Sequence, residues 1–149
     1  MPKWNEEMYE DDNILVEVID DYIYTYYKID HVTKEIAENL IETRLKLFPF
    51  PQKGIIDLRN VQWTDLAAMK VLSTDDAYKY YTATVVIVNS KVGRLLGNIY
   101  YRLIDPPFPT RLFSDIEASL VWLSKITKEP IPKFNLIKHI EEEFTLNQN

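Results

Sequence analysis

Two acids, Asp57 and Asp65, flank a short polar stretch within Gly-Ile-Ile-Asp-Leu-Arg-Asn-Val-Gln-Trp-Thr-Asp-Leu-Ala-Ala, residues 54–68. They are the acids that could converge at the end of one strand. A carboxylate pair does acid–base work only when both side chains enter one pocket, and Asp65 is equally placed to cap the helix that follows it. The two histidines, His31 and His139, are far apart and outside any metal-binding spacing, so surface or capping roles are expected for them. The chain has no cysteine, which excludes thiolate catalysis, disulfides and cysteine-based metal sites. Ser73, Ser90, Ser114, Ser119 and Ser124 lack the Gly-x-Ser-x-Gly context of a nucleophile elbow. Gly93 and Gly97 lie within a helical pattern with no Gly-Lys-Ser/Thr after them, so no phosphate loop is expected. These residues predict no catalytic site, no metal and no cofactor.

The elements that would position Asp57 and Asp65 are a strand and a helix. Ile55, Ile56 and Leu58 form an apolar run that reads as a strand buried on both faces. Thr64 or Asp65 then caps a helix over Asp65–Tyr80. Upstream, Met1–Asn13 has no periodicity and reads as a mobile lead-in. Ile14–Ile19 and Tyr22–Lys28 alternate as strands around the Asp20-Asp21 turn, which predicts a hairpin. Tyr22, Tyr24 and Tyr26 share one of its faces. Val32–Phe48 repeats apolar residues at helical spacing until Pro49 and Pro51 stop it.

Downstream, Ala83–Val88 is the most apolar strand and belongs at the sheet centre. Ser90–Leu103 reads as a helix whose two glycines each cost about 1 kcal/mol relative to alanine. Spaced four apart, they bare the backbone on one face for close packing on the sheet, a ligand or a second subunit. A stiff Pro106–Pro109 segment leads to the strand Thr110–Phe113, and Ser114-x-x-Glu117 has the form of a capping box before a helix carrying Ile116, Leu120 and Leu123. Phe134–Phe144 has helical spacing again and is expected to dock on the domain or across a dimer. The order predicts an α/β mixed sheet, an N-terminal hairpin followed by parallel βα units, with about four helices and a helical C-terminal tail. Its core should include Ile56, Leu58, Val86, Val88, Leu120 and Leu123.

The run Asp57-Leu58-x-x-Val61-x-Trp63-Thr64-Asp65 resembles the strand-to-helix signature of STAS domains. Thr110-Arg111-Leu112-Phe113-Ser114-Asp115-x-x-Ala118-x-x-x-Trp122-Leu123 is similar to the last strand and helix of the SpoIIAA-like branch, a group related to CRAL-TRIO lipid-binding domains. The resemblance covers roughly Ile14 to Ile126 and implies a single domain over 14–126, with 1–13 as lead-in and 127–149 as an extension. In anti-sigma-factor antagonists of this kind the signature continues Asp-Ser-Ser-Gly, the first serine being the phosphorylated switch. Here Leu66 replaces that serine and Ala68 the glycine, so a phospho-switch is not expected. The resemblance also places the helix Ser90–Leu103 beside the Asp65–Leu66 junction.

Composition narrows the function. A chain of 149 residues with 46% hydrophobic and 13% aromatic residues is long and apolar enough for one core. Its formal net charge of −6 argues against general nucleic-acid binding. Neither a signal peptide nor an apolar run approaching the roughly 20 residues of a membrane span is seen, so a cytoplasmic protein is expected. Charge is uneven: Lys79, Lys91, Arg94, Arg102 and Arg111 face one acid, Asp105, between 79 and 111, which suits either an ordinary surface or a basic rim for an anionic group. The leading expectation is a non-catalytic module that binds an apolar or amphipathic, lipid-like small molecule. The alternative is a regulatory protein-interaction module, with a homodimer open to both. The residues expected to contact ligand or partner are Asp65, Leu66, Gly93, Arg94, Gly97, Tyr100 and Tyr101.

Overall fold

The computed structural model describes residues 3–4, 8–89 and 105–147. The strands among them are β1 (Lys3–Trp4), β2 (Met8–Glu10), β3 (Ile14–Ile19), β4 (Tyr22–Tyr27), β5 (His31–Val32), β6 (Gln52–Leu58), β7 (Trp63–Thr64), β8 (Tyr81–Val88) and β9 (Thr110–Phe113). The helices are α1 (Lys34–Leu47), α2 (Leu66–Val71), α3 (Asp75–Tyr78), α4 (Ile116–Thr127) and α5 (Asn135–Asn147). Seven strands form one sheet in the order β1-β2-β3-β4-β6-β8-β9, and β5 pairs with β7 in a small second sheet. The strands up to β4 pair antiparallel, while β4–β6, β6–β8 and β8–β9 are parallel.

The hairpin forms where expected. Asp20 takes a left-handed φ of 55°, which an aspartate tolerates better than most residues, and Ile19 pairs with Tyr22 across the turn. The segment before it does not stay outside the fold. Met8–Glu10 pairs with Leu15–Glu17, and Tyr9 is buried beside Ile14 and Val16. Strands of two or three residues are too short to show a period.

The helix expected over Asp65–Tyr80 is broken into α2 and α3. Ser73 and Thr74 donate their hydroxyls to the carbonyls of Lys70 and Val71, at 2.9 and 2.7 Å, and Thr74 then accepts from the Ala77 amide to start α3. Hydroxyl side chains compete for backbone groups in this way and favour helix ends. The cap of α4 also shifts: Asp115, not Ser114, accepts from the Glu117 amide at 3.1 Å.

Alternation divides the core between the two faces of the sheet. On one, Tyr22, Tyr24, Ile55, Ala83, Val85 and Ile87 pack against Ile116 and Leu123 of α4, together with Leu136 and Ile140 of α5 and Phe134 just before it. On the other, Val16 and Ile23 pack against Leu40 of α1 and Phe48. A third cluster, with Val32, Ala37, Val61 and Ala68, ties α1 and α2 to the small sheet. Of the expected core, Val86, Val88 and Leu123 are buried, and Ile56, Leu58 and Leu120 are half-buried. The tail docks on its own domain. Glu17 of β3, itself buried, accepts from the amides of Asn135 and Leu136, both at 3.0 Å, and so caps α5 from across the sheet.

Candidate functional site

The segment after β6 separates the two acids instead of joining them. Asp57 is fully buried on the α5 face of the sheet. Its carboxylate accepts from the Tyr24 hydroxyl at 2.5 Å, from Arg59 Nε at 2.9 Å, from a terminal Arg59 nitrogen at 2.7 Å and from the Arg59 amide at 3.1 Å. Arg59 also bonds Glu141 of α5 and lies 4.8 Å over the Phe144 ring. Burial, reinforced by the negative charge of Asp57 and the hydrogen bond to it, holds the Tyr24 phenol well above its ordinary pKa. Burial works against the Arg59 charge, but the hydrogen bonds and charges of Asp57 and Glu141 more than offset it and raise its pKa. The network is a fully engaged strut between sheet and tail.

Asp65 occupies the cap position of α2, yet its side chain makes no cap hydrogen bond. It instead accepts from Trp63 Nε1 at 3.2 Å and pairs with His31 Nε2 at 2.8 Å. The bond to His31 keeps its carboxyl below the ordinary value, against a smaller opposing effect of desolvation. Pairing of β5 with β7 sets His31 opposite Trp63 and so makes this contact. The trio lies at the surface, with Trp63 58% and Leu66 56% exposed. Ala68, in the place of the antagonists' glycine, is buried. Gly93, Arg94, Gly97, Tyr100 and Tyr101, with the whole helix expected over Ser90–Leu103, lie outside the described residues. Two expected site residues, Asp65 and Leu66, are therefore neighbours at one junction.

Two hollows accompany these groups. One, polar and about 260 Å³, lies at the carboxyl ends of β6, β8 and β9, between Arg59, Asn89, Ser114 and Glu141, but Arg59 is there spent on Asp57 and Glu141. The other is apolar, about 130 Å³, and lies on the α1 face of the sheet. Its described walls come from the sheet (Val16, Ile56, Val86), from α1 (Leu40, Ile41) and from the aromatic rings of Tyr27, Phe48, Tyr78, Tyr81 and Phe108. Arg44 closes one end. Its terminal nitrogens donate to Gln52 Oε1 and to the carbonyls of Lys79, Asp76 and Ala77, and its guanidinium lies 4.0 Å over the Tyr81 ring. Tyr81 in turn lies against Gly54, where a Cβ would come within 2.6 Å of its ring. The sequence did not single out Arg44, Gly54 or Tyr81; only the mid-strand glycine opposite an aromatic-rich strand hinted at close approach.

No curated protein sequence matches the chain. In three dimensions it is similar to an uncharacterised protein of the DUF3478 family with a SpoIIAA-like fold from Shewanella loihica PV-4, with a TM-score of 0.51 and 19% identity over 83% of this chain and 98% of that one. The two share a fold, and this chain has the SpoIIAA-like α/β architecture that residues 57–65 and 110–123 resemble. The profile of a family described as a domain of unknown function, DUF7793, matches residues 16–127. That stretch is well over half of the chain, which therefore belongs to the DUF7793 family.

Proposed function

We propose that this domain is a non-catalytic binding module that holds an apolar or amphipathic small molecule between the sheet and α1. The observation that carries the reading is the 130 Å³ cavity, whose described walls are mostly apolar or aromatic, with Arg44 and five threonines among them. Folded interiors are close-packed and hold few voids larger than a water molecule, so an apolar hollow of this size suits a small apolar molecule. Engineered cavities of comparable size stay dry and take up benzene or xenon. The resemblance to SpoIIAA-like and CRAL-TRIO domains favours the same use.

The test is purification of the protein under native conditions, followed by denaturation and mass spectrometry of the released small molecules. A stoichiometric apolar compound supports the reading. Protein free of any such compound that also gives no heat or spectral change with apolar probes removes it.

A second reading, a regulatory interaction module, has its own observation. Trp63 and Leu66 are large apolar side chains, both left exposed at the strand-to-helix junction, and exposed aromatic and aliphatic side chains are typical anchors for a protein partner. Trp63→Ser with Leu66→Ser should then abolish capture of that partner while the cavity still binds its probes. The compartment is proposed to be the cytoplasm; no described helix is long and apolar enough to cross a membrane.

A further inference from the structure

The cavity's chemistry narrows its ligand, given the binding reading above. Among the described lining residues Arg44 is the one charged side chain. It is not poised to receive an anion. Both terminal nitrogens are held by four protein acceptors, three of them carbonyls next to or within α3, and one guanidinium face is covered by Tyr81. A carboxylate or phosphate placed in this hollow would lose its water without gaining a free cation from the described lining, which is costly. A neutral apolar group suffers no such loss.

Of the threonines on the described wall, Thr25, Thr43, Thr64, Thr84 and Thr110, Thr84 is the buried one. The Thr84 and Thr110 hydroxyls lie 2.8 Å apart, and Thr110 has a second acceptor in the Phe108 carbonyl at 3.4 Å. When Thr84 donates to Thr110 and Thr110 to Phe108, the Thr84 oxygen keeps acceptor capacity, and Thr84 lines the hollow. Thr84 is buried, so that acceptor capacity is not taken up by bulk water.

We infer that the cavity between the sheet and α1 takes a neutral, benzene-sized ring carrying a single hydroxyl, which donates a hydrogen bond to the Thr84 oxygen, and that it excludes anionic head groups. A volume of about 130 Å³ sets the size, since a 150 Å³ apolar cavity accommodates benzene. The hydroxyl selects among such rings through one neutral hydrogen bond.

The full-length protein is titrated with phenol, benzene and hexanoate, and binding is followed by amide chemical shifts at Thr84, Val86 and Thr110. Phenol and benzene should give saturable shifts at these positions, with phenol the tighter, and hexanoate none. Thr84→Val keeps the shape and removes the acceptor, so it should weaken phenol about five-fold and leave benzene nearly unchanged. Val86→Phe fills the hollow and should remove both. Should that variant fail to give a folded spectrum, the Thr84→Val comparison still decides the matter. Hexanoate binding as tightly as phenol at the same amides would overturn the neutral-ligand inference and leave the binding module standing. Equal loss of phenol and benzene in Thr84→Val would overturn the hydroxyl contact. Silence with all three probes would overturn the inference and the binding reading together.

Discussion

At the scale of single residues, three positions have a role that the structure makes testable. Asp57 holds a buried Tyr24 hydroxyl and a mostly buried Arg59. Removing one partner of a buried pair strands the other's charge, so Asp57→Ala should destabilise the domain by about 3–5 kcal/mol in urea unfolding. A loss below about 1 kcal/mol would show that Glu141 alone satisfies Arg59. Gly54 admits the Tyr81 ring where a Cβ would clash. Gly54→Ala should therefore push Tyr81 off Arg44, cost about 1–3 kcal/mol and change the near-ultraviolet circular dichroism of the tyrosines. Asp65 is an exposed carboxylate whose pKa is lowered chiefly by its bond to His31. Because the folded value lies below the unfolded one, the contact's stabilising effect is complete above the unfolded pKa of about 3.9 and disappears as pH falls through the lower folded value. Carboxyl-detected NMR titration should show the Asp65 midpoint moving back up in His31→Ala, and an unmoved midpoint would refute the pairing.

At the scale of elements, periodicity carried most of the fold. The alternation of Ile14–Ile19 and Tyr22–Lys28 and the apolar run of Ala83–Val88 were legible because burial writes directly into strand sequence, although the last strand begins earlier, at Tyr81. What escaped were features decided by single hydrogen bonds. The break between α2 and α3 depends on where the Ser73 and Thr74 hydroxyls point, and the cap of α4 depends on which of two adjacent cap formers turns inward. The junction was legible as a place but not as a geometry: Asp65 faces His31 because two short strands pair in parallel, which no local pattern announces. The same holds for α5, whose helical spacing was visible but whose cap comes from Glu17, more than a hundred residues away in sequence. A buried carboxylate at a helix N-terminus meets unpaired amides and the positive end of the helix dipole. Glu17→Ala should cost about 1–2 kcal/mol and speed hydrogen exchange at Asn135 and Leu136 more than at amides in the centre of β8.

At the scale of the whole molecule, the domain is larger than the stretch matched by its family. The DUF7793 profile ends at residue 127, whereas α5 begins at Asn135. Yet Phe134, Leu136 and Ile140 are buried in the same cluster as Tyr24, Ile55, Val85 and Ile87, and Glu141 and Phe144 complete the contacts of Arg59. A sheet needs cover on both faces when its central strands are apolar on both, and α4 alone covers only part of this one. Deleting residues 128–149 would expose that apolar face and leave Glu17 and Arg59 without their partners in the tail. Each fully buried large side chain contributes about 1.5–3 kcal/mol, so losing Phe134, Leu136 and Ile140 together removes an amount comparable to the whole stability of a small domain. The truncated chain should therefore lose its cooperative unfolding transition and bind a hydrophobic dye. Adding back a peptide spanning residues 130–149 should reduce the dye signal if the tail belongs to the fold. A truncated chain with the full-length denaturation midpoint would show instead that α5 is an appendage, and that the residues matched by the family are sufficient for the core.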